Sequence, residues 1–154
     1  MNENNPVIKA LNKAMALCAS REYCSNDIRI KLDSWSIKGA DAESVISGLI
    51  SENFINDRRY ADSFVKDRFR RNKWGKLKLT AHLSTKKILH EIIESALASI
   101  DDEEYRKTAR ETIISHRKSV KARNTYELKG KLMRYGLSKG FESHILYDIL
   151  SEID

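Results

Sequence analysis

The sequence predicts an all-α fold: a tandem array of three three-helix modules, elongated and able to curve. Apolar residues recur at spacings of three and four, and convincing strand alternation is absent. One proline and six glycines among 154 residues favour regular elements with few sharp turns. A short helix with an i, i+4 apolar pair, followed by a longer helix ending in such a pair, recurs with a period of about 45 to 50 residues, as in helical arrays.

The first module is expected to span residues 1–56. Ser25 is expected to cap its second helix, and Asp41 to open its third. The inward-facing positions share the helical spacing; they are Ile8, Leu11, Met15 and Cys18 in the first helix, Ile28 and Leu32 in the second, and Val45, Ile46, Leu49 and Ile50 in the third.

The second module is expected to span residues 57–100. Asp57 is predicted to cap a long helix, residues 76–83 to form a short one, and Ser84 or Thr85 to begin the next. The apolar positions again follow helical spacing; they are Tyr60, Ala61, Phe64, Val65 and Phe69, then Leu79 and Leu83, then Ile88, Ile92, Ile93, Ala96, Leu97 and Ile100.

The third module is expected to span residues 101–154. Its first helix has acidic residues in the opening turn, at 101–104, where they suit the helix dipole, and runs toward Val120. A short helix over residues 126–133 and a last helix after Gly140 complete it. Modules this small cannot bury a full core alone, so each must pack on its neighbour.

The net charge of +6 is unevenly distributed. Residues 58–99 carry eleven basic and four acidic side chains, whereas residues 1–57 carry a net −2 and residues 100–154 a net +1. A localised positive field attracts a polyanion such as nucleic acid, or an acidic protein surface.

The segment DRRYADSFVKDRFRRNKWGKLKL, residues 57–79, holds nine of these basic residues. On a helical wheel, four of them form a narrow stripe opposite the apolar half: Arg59, Lys66, Arg70 and Lys73. Like charges at i, i+4, such as Lys66 and Arg70, cost roughly 0.2–0.5 kcal/mol in an isolated helix. The flanking Asp62 and Asp67 can pair with Lys66 and Arg71 but cannot neutralise the stripe. The stripe is either a solvated face or an anion-contacting surface, and we favour the latter.

Arg68 lies near the centre of the apolar half of the same helix. An unpaired guanidinium is rarely buried. Arg68 should therefore extend its charge to solvent, pair with a carboxylate such as Asp57 or one from another module, or project into a groove between modules.

The helix is expected to end at KWGKLKL, residues 73–79. Gly75 can adopt the left-handed conformation that closes a helix, and Trp74 is expected to pack as a wedge rather than stack on a base. Lys76 and Lys78 then begin the next helix, where free backbone N–H groups would add to an anion site.

No catalytic residue, metal site or cofactor is predicted. The sequence lacks GxxxxGK[ST], GxGxxG and HExxH motifs, and Cys18 and Cys24 are expected to be reduced thiols. No apolar run approaches the roughly 20 residues of a membrane span. The N-terminal segment lacks the basic start and apolar block of a secretory signal, so a cytoplasmic location is expected.

Residues 55–69, INDRRYADSFVKDRF, resemble the D-x-R-[FY]-A signature of the RecX regulatory proteins. KLDSW at 31–35, KWGKLKL at 73–79 and KLMRYGLSKGF at 131–141 support the resemblance, which extends from about residue 10 to the end. It implies a non-enzymatic regulator in DNA repair, recombination and the SOS response. Such a protein binds along the groove of the filament formed by the RecA recombinase on single-stranded DNA, and restrains its ATPase, strand-exchange and co-protease activities.

The implied partners are the RecA filament and single-stranded DNA, with double-stranded DNA as a further candidate; no membrane is implied, and a monomer is expected. The candidate contacts to filament or phosphate are Arg58, Arg59, Lys66, Arg68, Arg70, Arg71, Lys73, Lys76 and Lys78. The residues expected to be structural are Asp57, Tyr60, Ala61, Phe64, Trp74 and Gly75. The alternative is a nucleic-acid-binding helical module that acts without the recombinase.

Overall fold

Helices account for all the regular structure in the computed structural model, which describes residues 4–154; residues 1–3, at the start of the expected first module, lie outside the described part. Within that part there is no strand, so the all-α prediction is confirmed. The nine helices are α1 (Pro6–Ser20), α2 (Ser25–Ser34), α3 (Gly39–Ser51), α4 (Asp57–Asn72), α5 (Lys76–Thr85), α6 (His90–Ala98), α7 (Asp102–Arg117), α8 (Thr125–Ser138) and α9 (Ser143–Ser151).

The buried apolar residues form three cores, one for each successive triplet of helices. We call α1–α3 the first module, α4–α6 the second and α7–α9 the third; boundaries at residues 56 and 100 stay a prediction. The first core is built on Ile28, Leu32 and Leu49, and the third on Tyr105, Leu132 and Phe141. The cores are not self-sufficient, because Cys24 is buried in the second core and Phe69 in the third.

The accessible surface indicates an elongated molecule. A compact monomer of 17.7 kDa exposes about 8,000 Å². This chain exposes 9702 Å². The excess is what a row of small cores produces, since each core is covered mainly by its own three helices.

Several helix ends differ from the sequence prediction. Cys24, not Ser25, precedes α2, and the carboxylate of Asp27 reaches back to accept from the Cys24 N–H at 3.3 Å. Asn56, not Asp57, caps α4, because its side chain accepts from the Arg59 N–H at 3.1 Å. Three further helices have other bounds than predicted: α3 begins at Gly39 rather than Asp41, α6 begins at His90 after a left-handed Lys87, and α8 extends to Ser138. Ile50, predicted to face inward, is exposed.

Polar contacts join the first module to the second. The carboxylate of Asp57 accepts from the N–H of Ser25 at 2.8 Å and from its hydroxyl at 2.7 Å, so it caps α2 across the module boundary. Asp27 accepts from the Lys86 ammonium at 2.7 Å. Burial raises the pKa of Asp27, but hydrogen bonds from Lys86 and Cys24 outweigh it, so this pKa is lowered overall.

Backbone contacts join the second module to the third. The N–H groups of Gly75 and Leu77 donate to the carbonyls of Lys139 and Gly140, at 2.7 and 3.0 Å. A Cβ on Gly75 would lie 2.3 Å from the Gly140 carbonyl carbon, so only glycine permits this approach. The ring of Phe69 also stacks on the ring of Tyr105, with centroids 5.8 Å apart.

Candidate functional site

Helix α4 positions the basic residues by burying its opposite face. Ala61, Val65 and Phe69 are buried at i, i+4 spacing, which fixes the rotation of the helix. The helix ends where Lys73 adopts a left-handed conformation (φ 57°). The expectation that Gly75 would do this is wrong, because Gly75 has φ −78° and instead precedes α5.

Three of the four stripe residues have no acidic partner among the described residues. The exposed side chains of Lys66 and Arg70 make no hydrogen bond or ion pair there, and that of Lys73 donates only to the Arg70 carbonyl, at 2.7 Å. Arg58, exposed at the start of α4, is likewise unpaired in that part of the chain. Arg71 pairs with Asp67 at 2.9 Å, as the sequence predicts. Unpaired neighbouring cations repel each other, so an anion bound there would relieve that repulsion.

Arg59 is the fourth stripe residue, and the expectation that it lacks neutralisation is wrong. Its Nε donates to Glu22 at 2.9 and 3.1 Å, and its terminal nitrogens donate to the carbonyls of Asn53 and Phe54 at 3.3 Å. Because these partners lie before α2 and at the α3–α4 turn, Arg59 ties the first module to α4. A contact between Arg59 and an external partner stays a prediction.

Arg68 pairs with aromatic rings rather than with a carboxylate. Its guanidinium carbon lies 5.4 Å from the ring centre of Phe64 and 5.3 Å from that of Trp74, within cation–π range. The Lys78 ammonium lies 4.7 Å from the Trp74 ring. The same indole ring packs on His82, with centroids 4.5 Å apart. Trp74 is therefore a packing wedge, with two cations held against it.

The start of α5 does not provide an anion site. The N–H of Lys76 donates to the Tyr105 hydroxyl at 2.9 Å, and the N–H groups on either side of it, those of Gly75 and Leu77, bond to the third module. The expected contribution of free backbone N–H groups is therefore wrong, because the next module already occupies them. The ammonium groups of Lys76 and Lys78 lie over the rings of Tyr105 and Trp74, at 4.8 and 4.7 Å from the ring centres.

The corner that holds these lysines is organised by residues that sequence reasoning missed. The hydroxyl of Tyr105 donates to the Glu142 carboxylate while accepting from Lys76. Burial, and then the Glu142 hydrogen bond, raise the pKa of Tyr105 well above its usual range. The only sequence signal was the pair of glycines, Gly75 and Gly140, and neither reveals its partner.

The described residues offer neither a cluster of metal ligands nor a helix suited to crossing a membrane. Residues 4–154 contain no group of three or more His, Cys, Asp or Glu side chains placed to hold a metal ion. No helix in that range is long and apolar enough to cross a membrane.

The fold and the site together define a class: all-α arrays of three-helix modules that present an unneutralised basic face on the central module. Comparisons with known proteins narrow this class. The family model described as "RecX, second three-helix domain" matches residues 56–97. The regulatory protein RecX of Clostridium botulinum (strain Eklund 17B) is 31% identical, with 97% of this chain and 75% of that protein covered. The regulatory protein RecX of Clostridium acetobutylicum is 30% identical over 98% of this chain and 72% of that protein.

Two solved structures of RecX proteins have the same fold as this chain. The crystal structure of RecX from Lactobacillus salivarius superposes with a TM-score of 0.85 at 25% identity, covering 97% of each chain. A second crystal structure, of a regulatory protein RecX, gives a TM-score of 0.87 over 96% of this chain and 72% of that one; at 20% identity this is a likeness of fold. The chain belongs to the RecX family of regulatory proteins.

Proposed function

We propose that this chain binds the filament formed by the RecA recombinase on single-stranded DNA, and restrains its ATPase, strand-exchange and co-protease activities without catalysing a reaction itself. It would act as a monomer in the cytoplasm, in DNA repair, homologous recombination and the SOS response. Family membership supports the regulatory role. The observation that carries the site is the row of cations without an acidic partner among the described residues, Lys66 and Arg70 on α4 and Lys73 at its C-cap.

The mechanism joins two physical effects. The unpaired cations attach to DNA phosphates and release condensed counterions, a contribution that weakens with salt. The three modules present separate helical faces in series, so an elongated array can span more than one subunit of a repeating polymer. Bridging neighbouring subunits would oppose the rearrangements that ATP hydrolysis and strand exchange require. The phosphate contacts therefore provide attachment, and the protein contacts provide inhibition.

Arg59, Arg68 and Arg71 have lesser roles in this proposal, because each already has a partner within the chain. Arg59 and Arg68 hold α4 in position. Lys76 and Lys78 flank the Trp74 corner and extend the positive field toward the third module. The sharpest test consequently reverses the charge of Lys66 and Arg70 and leaves Arg59 intact.

The experiment adds the protein to RecA–single-stranded DNA filaments at moderate salt and follows ATP hydrolysis and co-sedimentation. The wild-type chain should associate and slow hydrolysis. The Lys66→Glu, Arg70→Glu variant should associate more weakly, with a salt slope reduced by about 1.4 for two lost single-strand phosphate contacts. Its helical content, measured by circular dichroism, should be unchanged.

A matched control is Lys9→Glu with Lys31→Glu. Both side chains are exposed on the first module, and neither makes a hydrogen bond or an ion pair among the described residues. This control variant changes the net charge by the same amount as the α4 variant, and it should bind filaments like wild type. If the control weakens binding as much as the α4 variant does, only net charge matters, and the assigned surface is wrong.

The recombinase-independent alternative makes a different prediction. Purely phosphate-driven binding disappears with rising salt on bare DNA and on filaments alike. A protein dock within a filament retains affinity at salt concentrations where binding to bare DNA has vanished. Absence of filament association and of any change in hydrolysis, with DNA binding retained, would refute our proposal in favour of the alternative.

A further inference from the structure

A second candidate surface lies on the third module, away from α4. The groove between α8 and α9 has a volume of about 700 Å³ and is lined in part by Tyr126 and Tyr147. Tyr126 is 90% exposed and Tyr147 is 67% exposed, although large aromatic side chains are usually at least half buried. Met133 and the buried Leu150 give the groove an apolar wall.

The charges in this groove are positive and largely uncompensated. The single carboxylate that lines it, that of Glu127, is engaged by Arg123 at 2.7 Å and by Lys131 at 3.2 Å. The lining residues Lys129 and Arg134 have no carboxylate partner among residues 4–154. The groove thus combines two exposed aromatic rings with two available cations.

We propose that this groove binds single-stranded nucleic acid, with unpaired bases stacked on Tyr126 and Tyr147 and phosphates bound by Lys129 and Arg134. Exposed aromatic rings beside cations are the combination that single-strand binding proteins use, because every base offers a flat face and every nucleotide a negative charge. A duplex would engage only the cations, since its bases are already stacked. An acidic protein segment would also satisfy the cations, but it offers no flat surface for two exposed tyrosines.

This inference does not rest on the recombinase. Binding in the groove should be measurable with the free protein and a short oligonucleotide, so its failure leaves the filament proposal standing. It also assigns different contacts to the second and third modules: the α4 cations recognise phosphate in single or double strands, whereas the groove discriminates between single and double strands.

The test measures fluorescence anisotropy of labelled oligothymidylate and of a duplex of equal length with the full chain. Tyr126→Leu and Tyr147→Leu, which keep apolar volume but remove the ring, should each weaken single-strand binding by about fivefold or more, the lower end of what stacking one base is worth. Neither change should alter duplex binding by as much as twofold. Lys129→Gln with Arg134→Gln should lower the single-strand salt slope by about 1.4. The matched control is Lys107→Gln with Lys118→Gln, two exposed lysines outside the groove, which should leave that slope unchanged.

A second measurement keeps the proposal testable if a tyrosine variant folds poorly. Photocrosslinking of wild-type protein to an oligonucleotide containing 5-bromodeoxyuridine should yield adducts on peptides that contain Tyr126 or Tyr147. Three outcomes would overturn the proposal: crosslinks confined to other peptides, equal losses on duplex and single strand, or tyrosine variants that bind oligothymidylate like wild type. If the tyrosine variants lose filament binding but still bind oligothymidylate like wild type, the groove binds a protein segment instead.

Discussion

The joint between the second and third modules gives a sharp stability prediction at Gly75. The substitution Gly75→Ala adds a Cβ that would lie 2.3 Å from the Gly140 carbonyl carbon, 2.4 Å from its oxygen and 2.4 Å from the Phe141 nitrogen. All three atoms belong to the backbone, so no side chain can rotate away to relieve the clash. The start of α5 must therefore separate from residues 139–141.

The magnitude follows from the hydrogen bonds that cross this joint. The N–H groups of Gly75, Lys76 and Leu77 donate to Lys139, Tyr105 and Gly140, respectively. At about 1 kcal/mol each, their loss costs about 3 kcal/mol. Alanine tolerates the backbone angles of Gly75 (φ −78°), so the less flexible unfolded chain returns up to about 1 kcal/mol. The net loss is about 2 kcal/mol, or about 6 °C in Tm for a chain of this length.

Urea denaturation followed by circular dichroism measures this loss, and hydrogen exchange at residues 75–77 localises it. The matched control is Gly48→Ala in the interior of α3, where the added Cβ would meet only the Leu11 Cδ1 atom at 3.9 Å. Because alanine is the better helix former, this control should be more stable than wild type by about 0.5–1 kcal/mol. If Gly75→Ala is as stable as wild type and its amides stay protected, the close approach does not fix the joint, and the reasoning fails.

Three smaller predictions concern the joint between the first and second modules. Asp27→Asn should lower the free energy of unfolding at pH 7 by about 1 kcal/mol, because its charged bonds to Lys86 and the Cys24 N–H weaken. The pKa of Asp27 is lowered in the folded state, so its contribution to stability is present above the unfolded pKa of about 3.9 and is lost as pH falls through the folded pKa. The difference in free energy of unfolding between Asp27→Asn and wild type should therefore shrink in urea titrations at low pH. Arg59→Gln should cost up to about 1 kcal/mol by the same assay, since its ion pair is partly exposed, and an unchanged stability would contradict its role as a tie. Burial raises the pKa of the Cys24 thiol to about 11, so a thiol reagent at pH 8 should modify Cys18 first and Cys24 only on unfolding; equal rates would show that the joint opens readily.

The sequence was sufficient to predict the nine helices because each buries an apolar stripe with helical spacing. It predicted the start of α6 too early, since Ile88 is buried but lies in the turn before that helix. Apolar spacing cannot distinguish a buried turn residue from the first turn of a helix. The helix caps were predicted wrongly for a related reason. Asp57 has the right side chain to cap α4, but it caps α2, 32 residues earlier in the chain.

The same distinction between local and distant partners applies to the site. The positive charge around Lys66 and Arg70 could be predicted, because a helix brings only nearby residues within reach of them, and the two acids there, Asp62 and Asp67, are too few to neutralise the stripe. The pairing of Arg59 could not be predicted, because Glu22 lies 37 residues away. Arg68 was recognisable as anomalous from the helical wheel alone. Its aromatic partner, Trp74, depended on how the chain turns after α4.

The two joints differ in the kind of interaction that holds them, and this bears on how the array meets an extended partner. The first joint combines one buried side chain, Cys24, with polar contacts such as the partly exposed Arg59–Glu22 pair, and ion pairs of this kind are worth about 0–1 kcal/mol. The second depends on backbone atoms packed too closely to admit a methyl group at Gly75. We therefore expect the array to adjust at the first joint, while the second and third modules move as one body. That arrangement fixes the distance and orientation between the α4 cations and the α8–α9 groove. A single strand that reaches both sites would therefore bind them without a further movement of the modules.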